Sequence, residues 1–120
     1  MGGWEVTTSS DYDAWLLQQS EGDQAVIHAK VLLLEEHGPN LGRPHADTLK
    51  GGSLGNLKEL RAKTQAHVFR VAYLFDEERK GILLTGGDKK GKNEKRFYRD
   101  LIKHAKEVYV AYLEKKEQKK

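Results

Sequence analysis

Apolar and polar positions alternate with a period of two through the stretch VFRVAYLF, 68–75. Phe69, Val71, Tyr73 and Phe75 share one side of a strand, and Val68, Arg70, Ala72 and Leu74 share the other. The same period in LKELRA (57–62) puts Leu57, Glu59 and Arg61 on one side and Lys58, Leu60 and Ala62 on the other. A third apolar run, ILLT, follows the charged hairpin DEERKG. Strands are expected near 57–62, 67–76 and 81–86, antiparallel because short turns link them. On this pattern one sheet face is buried and the other presents Glu59, Arg61 and Arg70 to solvent.

Elsewhere the spacing turns helical. WEVTT (4–8) predicts a short first strand. Ser10 is expected to cap a first helix, with Asp11 and Asp13 in its first turn and Tyr12, Trp15 and Leu16 on one face. That helix ends near Gln19. A second begins at the break 20–23 and carries two apolar lines, Val26–Ala29–Leu33 and Ile27–Val31–Leu34. It stops at His37, Gly38 and Pro39, since glycine caps and proline cannot continue. Residues 40–56, with Pro44 and several glycines, read as a long loop. GGDKKGKN (86–93) reads as a glycine–lysine loop. The last helix starts near Glu94 along Phe97, Leu101, Ala105, Val108 and Tyr112. The order strand, helix, helix, three strands, helix predicts an α+β class. The helix pair is expected to cover one face of a small, mainly antiparallel sheet. One domain, 1–113, is expected, with a charged, flexible tail at 114–120.

Composition narrows the chemistry. The chain has 120 residues, 38% hydrophobic and 32% charged, enough for one modest core. The net charge is only +3, but lysine is concentrated from Lys89 onward, which suits contact with a polyanion, although for a charge run alone a solvated helix face is the preferred reading. There is no cysteine, which excludes disulfides, thiolate metal sites and cysteine nucleophiles. His28, His37, His45, His67 and His104 show no metal-ligand spacing, so no metal and no cofactor is expected. MGGWEV lacks a signal-peptide core and no segment has membrane-spanning length, so a cytoplasmic protein without a membrane partner is expected.

The motifs LKELR (57–61), FRVAYLF (69–75) and ILLTGGDKK (82–90), preceded by LGRPHADTLKGG (41–52), together resemble the RelE/HigB superfamily of toxins from type II toxin–antitoxin pairs. The likeness is nearest to the phage-derived, HigB-like branch and runs from Trp4 to about Tyr112. It implies a RelE-like fold and a toxin that cleaves mRNA on the translating ribosome. It also implies neutralisation by a cognate antitoxin, in this branch usually a helix-turn-helix, HigA-like protein through which operator DNA is reached indirectly. The chain departs from the family at one place. Relatives often carry an H-G-F type sequence before the paired lysine, where this chain has Thr85, Gly86, Gly87 and Asp88.

Metal-free RNA cleavage uses the 2′-OH as nucleophile. It needs a base, positive charge on the phosphorane, and an acid for the leaving 5′-oxygen. Arg61 and Arg70 are the candidate phosphate ligands, because guanidinium engages phosphate oxygens bidentately. Glu59 is the candidate base, or alternatively a cross-strand salt-bridge partner of the arginines. Lys89 and Lys90 are candidates for RNA contact or proton transfer, or alternatively solvated charges of a glycine-rich turn. Lys58 is a further RNA-binding candidate if a bulge turns it toward the site. His67 is either a general acid or a surface histidine. Trp15, Tyr98, Tyr109 and His104 read as structural, and Gly86–Gly87 lacks the spacing of a phosphate loop. Two other readings stand beside the nuclease: a ParE-like toxin that inhibits DNA gyrase without catalysis, and a degenerate member that only binds its antitoxin.

Overall fold

A computed structural model describes residues 3–50, 52 and 54–118. Strand β1 (Val6–Thr8) leads into helices α1 (Ser10–Leu17) and α2 (Glu21–His37), followed by a 3-10 turn at Gly38–Asn40. Strands β2 (Ala46–Thr48), β3 (Lys58–Lys63), β4 (Val68–Phe75) and β5 (Gly81–Asp88) come next, and α3 (Glu94–Gln118) closes the chain. The sheet order is β1-β5-β4-β3-β2. All pairings are antiparallel except β1–β5. The α+β architecture, with a helix pair on a mainly antiparallel sheet and a C-terminal helix, is as the sequence implies.

Ser9, not Ser10, caps α1. Its Oγ accepts the Tyr12 N–H at 3.0 Å and donates to the Leu84 carbonyl at 2.6 Å, tying the helix start to β5. Ser20 caps α2 through the Asp23 N–H at 3.1 Å. Gly38 ends α2 at φ +60°, where a Cβ would lie 2.4 Å from the Trp4 ring, so no other residue fits. The expected loop 40–56 contains the short edge strand β2, and its residues 51 and 53 lie outside the described ones. The expected loop 86–93 begins only after Asp88, because β5 runs three residues further than its apolar run. Helix α3 continues through most of the expected tail to Gln118, with 119 and 120 outside the described residues.

Both sheet faces are covered. Ile27, Val31 and Leu34 of α2 and Tyr12 of α1 pack on Leu60, Ala62, Phe69, Val71, Tyr73 and Leu83. On the other face Phe97, Leu101 and Ala105 of α3 pack on Leu57, Ala72, Leu74, Ile82 and Leu84. The expectation of an open second face is therefore corrected. That face carries too many apolar side chains to stand in water, and α3 buries them. A register shift in β4–β5 at Ala72/Tyr73 sets how β5 meets these layers. Beyond it Gly86 lies under Trp15 and Gly87 under Phe97. An added Cβ would approach those rings to 2.5 and 3.1 Å. The glycine pair is thus a packing feature between α1 and α3. Among the described residues no helix is long and apolar enough to cross a membrane.

Candidate active site

The β3–β4 register sets Arg61 directly opposite Arg70, and Arg70 in turn opposite Gly87 of β5. Both arginines lie on the α3 side of the sheet, near the end that α3 reaches with its first turns. Like charges directly opposed on a sheet repel. Glu59, two residues before Arg61 on the same side, compensates. Its Oε2 accepts from Arg61 Nε at 3.1 Å, and its Oε1 lies 3.4 Å from Arg70 Nε. Arg70 Nε also donates to the Tyr98 hydroxyl of α3 at 3.1 Å, and Arg70 Nη1 to the Phe69 carbonyl at 3.0 Å.

Burial separates these groups. Glu59 is 2% exposed and Arg70 is 8% exposed, so neither faces solvent as the strand pattern suggests. The Arg61 side chain is 29% exposed and is the accessible guanidinium. Burial works to lower the Arg61 pKa, but the hydrogen bond and charge of Glu59 outweigh it and hold the group above its ordinary value. On its outer side Arg61 Nη2 lies 3.7 Å from Asp47 Oδ2, which also takes bonds from Arg43 Nε and Nη2 at 2.9 and 2.7 Å. The Arg43 hydrogen bond is the main reason the Asp47 carboxyl is held below its usual range.

Lys89, just beyond β5, completes the cluster. Its Nζ sits 5.5 Å from the Tyr98 ring centre and donates to Glu94 Oε1 at 2.7 Å. That bond, with the Lys89 charge, depresses the Glu94 pKa, and the charges of Arg70 and Arg61 add to it. Glu94 is an exposed carboxylate within the electrostatic reach of both arginines. Tyr98 and Glu94 are the members that the sequence reading missed. Tyr98 sits at the margin of the apolar line of α3, and only the docking of α3 on β4 reveals its hydroxyl as the partner of Arg70.

The remaining candidates separate from the cluster. Lys90 reaches away to the Gln65 carbonyl in the β3–β4 turn. Lys58 lies opposite Tyr73 in an unbroken β3–β4 register, and its Nζ donates to the Pro39 carbonyl at 3.0 Å. No bulge turns it toward Arg61. His67 stacks on Phe69, with Nδ1 2.6 Å from Asp88 Oδ2 and Nε2 3.5 Å from Asp23 Oδ2. It joins the start of α2 to the end of β5 rather than entering the cluster. Among the described residues no group of three or more metal-ligating side chains gathers in one place.

Residues 14–110 match the family described as Phage derived protein Gp49-like. Two curated proteins of Mycobacterium tuberculosis, provisionally named as toxins, are similar along the sequence. HigB2 is 34% identical over 92% of this chain, and HigB3 is 38% identical over 72%. The chain spans 55% of the length of HigB2 and 73% of that of HigB3. The fold is shared with a double-arginine mutant of the E. coli toxin RelE in the free state, at a TM-score of 0.59 and 9% identity. That match covers 89% of this chain and 97% of RelE. A RelE–RelB complex from Pyrococcus horikoshii matches at a TM-score of 0.55 and 16% identity, over 74% of this chain and 98% of the other.

Proposed function

We propose that this chain, which belongs to the Phage derived protein Gp49-like family and with it to the RelE/HigB superfamily, is the toxin of a toxin–antitoxin pair. Its activity is metal-free cleavage of mRNA on the translating ribosome, in the cytoplasm. The observation that carries the reading is the pair of opposed arginines locked by one buried carboxylate at a solvent-accessible edge. A sheet gains nothing in stability from two facing guanidinium groups that need a buried anion to hold them. A phosphate binder gains a fixed cation.

The roles differ from those the strand pattern suggests. Glu59 is enclosed with both oxygens turned to guanidinium groups, so it orients the arginines and does not touch RNA. Arg61 meets the scissile phosphate and stabilises the charge that develops on it. Arg70, held by Glu59, Tyr98 and the Phe69 carbonyl, fixes that arrangement from below. Glu94 takes the proton of the 2′-OH, and its depressed pKa makes it a weak base, so most of the rate comes from charge stabilisation. Lys89 adds positive charge and a proton donor for the leaving 5′-oxygen. The 2′-oxygen displaces the 5′-oxygen at phosphorus, leaving a cyclic 2′,3′-phosphate and a 5′-hydroxyl. The partner is a cognate antitoxin, in line with the RelE–RelB assembly of a fold relative and with a helix-turn-helix, HigA-like protein as the expected type.

Induced expression of the chain alone should arrest growth, and co-expression of the antitoxin should relieve it. New mRNA 5′ ends bearing hydroxyls should appear within translated reading frames. Growth arrest without such ends, accompanied by gyrase inhibition, would replace the nuclease by a ParE-like toxin.

A further inference from the structure

The exposed side of α3 is divided by charge. Lys95, Arg99, Lys103 and Lys106 follow one another at helical spacing along one flank, and all are exposed. With Lys50 they line a groove of about 500 Å³, whose floor is Tyr98 and Ile102. Gly52 lines its other side, where a Cβ would lie 2.6 Å from Ile102. Asp100 and Glu107 lie on the opposite flank, facing β5 and the start of α1. Among the described residues Lys50, Lys95, Lys103 and Lys106 make no ion pair, while Arg99 has only its neighbour Asp100 at 3.6 Å. Three lysines elsewhere on the molecule are neutralised by carboxylates. Lys80 pairs with Glu5, Lys89 with Glu94 and Lys116 with Glu78.

Like charges at this spacing repel one another along a helix, so the stripe does nothing for the fold. Its place is informative. Tyr98 lines the groove and also accepts the hydrogen bond from Arg70, so the stripe starts at the arginine cluster. From Lys95 to Lys106 it runs roughly 16 Å at the ~1.5 Å rise of a helix.

We propose that this groove is a phosphate track for the same RNA strand that enters the arginine cluster, holding the segment on one side of the scissile bond. The inference rests on the nuclease reading for the identity of the strand. The contacts are to phosphate, since the lining offers cations and little that reads base edges. The track therefore strengthens binding without selecting sequence.

The test uses uncleavable 2′-O-methyl oligoribonucleotides of three, six and nine nucleotides and the full chain. Affinity should rise with length for the parent. Lys103→Ala/Lys106→Ala should bind the shortest oligomer as the parent does and lose the gain for the longer ones. Its salt dependence should flatten by about 1.4 in log–log slope for two contacts at ~0.7 each on a single strand. Lys103→Arg/Lys106→Arg should keep the parent's behaviour, and circular dichroism should be unchanged in both. Equal binding by parent and alanine variant at every length would overturn the proposal. So would unchanged oligomer binding with weakened binding to empty ribosomal subunits, which would assign the stripe to ribosomal RNA. Length-dependent binding in a chain that cuts no message would sink the nuclease reading and leave the track standing.

Discussion

Arg61 and Arg70 face one another across β3 and β4, and a single buried carboxylate, that of Glu59, holds both. Only Arg61 is open to a ligand. Arg61→Ala should therefore reduce mRNA cleavage by about 100–1,000-fold, the usual loss when one positioned transition-state donor is removed. Its thermal unfolding should also fall, though less than that of Arg70→Ala, because Glu59 stays buried without the guanidinium that hydrogen-bonds it while Arg70 remains beside it. Cleavage is therefore compared at a temperature where both proteins are folded. Cleavage of a defined message in a translating extract reads the first quantity. A variant that cleaves like the parent would show that the edge is not the site.

Arg70→Ala is expected to act on stability first. It leaves Glu59 buried without one of its two cations and frees the Tyr98 hydroxyl. Breaking a buried pair from one side costs about 3–5 kcal/mol. The double change Glu59→Gln/Arg70→Met, which removes both charges and keeps volume, should recover much of that loss in urea unfolding. A double variant no more stable than Arg70→Ala would mean that the pair is not coupled. Arg70→Met alone should fall below the double variant for the same reason.

The arginine cluster was half legible in the sequence. Alternation in β3 and β4 correctly put Glu59, Arg61 and Arg70 on one side. It says nothing of what lies above that side, and α3 was free to pack on either face of the sheet. Tyr98, Glu94 and the burial of Glu59 all follow from that one docking. The β5 register was illegible for a different reason. Ile82–Thr85 is apolar enough to serve either face, and the irregularity beside Ala72 leaves no mark in composition. The strand β2 was hidden because three residues carry no period. The boundaries of α2 were legible, since Ser20 and Gly38 do locally what capping residues do, whereas the cap of α1 falls at Ser9 and not Ser10, and α3 runs on to Gln118 through residues whose charge alone reads as a tail.

The glycine pair tests the packing account of the TGGD sequence. Gly86→Ala sets a methyl group 2.5 Å from the Trp15 ring and should destabilise the fold by about 1–3 kcal/mol, the range for overpacking. Gly87→Ala meets the Phe97 ring at 3.1 Å and should cost less. The order of the two melting temperatures is the measurement. The reverse order would mean that Gly86 and Gly87 do not face α1 and α3 as described.

Acid should weaken the junction between α2 and β5. Partial burial works to raise the Asp88 pKa, but bonds from the Val68 and Lys90 N–H groups and from His67 outweigh it, so the carboxyl titrates below its ordinary value. A group whose native pKa is depressed adds stability above the unfolded pKa, near ~3.9 for aspartate, and loses it as pH falls through the native value. The parent should thus lose stability below about pH 5, and Asp88→Asn should show a smaller drop between neutral and acidic denaturation curves. Parallel curves for the two proteins would remove Asp88 from the acid transition.

The lysine pair should divide. Both lysines follow β5, yet Lys89 turns to Glu94 and the Tyr98 ring while Lys90 turns to the Gln65 carbonyl. Lys89→Ala removes a positive charge from the cluster and releases Glu94, so it should lower the cleavage rate at saturating ribosomes. Lys90→Ala touches only the β3–β4 turn and should leave that rate near the parent's. Tyr98→Phe provides the control. It keeps the ring under Lys89 and deletes the hydroxyl that Arg70 bonds, so its effect should run through Arg70 alone. Because Lys89 keeps its ring contact, Tyr98→Phe combined with Lys89→Ala should be close to additive in the logarithm of the rate. If Lys90→Ala proves the more damaging of the two lysine changes, the turn at 89–93 rearranges when RNA binds, and the cluster geometry described here is not the one that cuts.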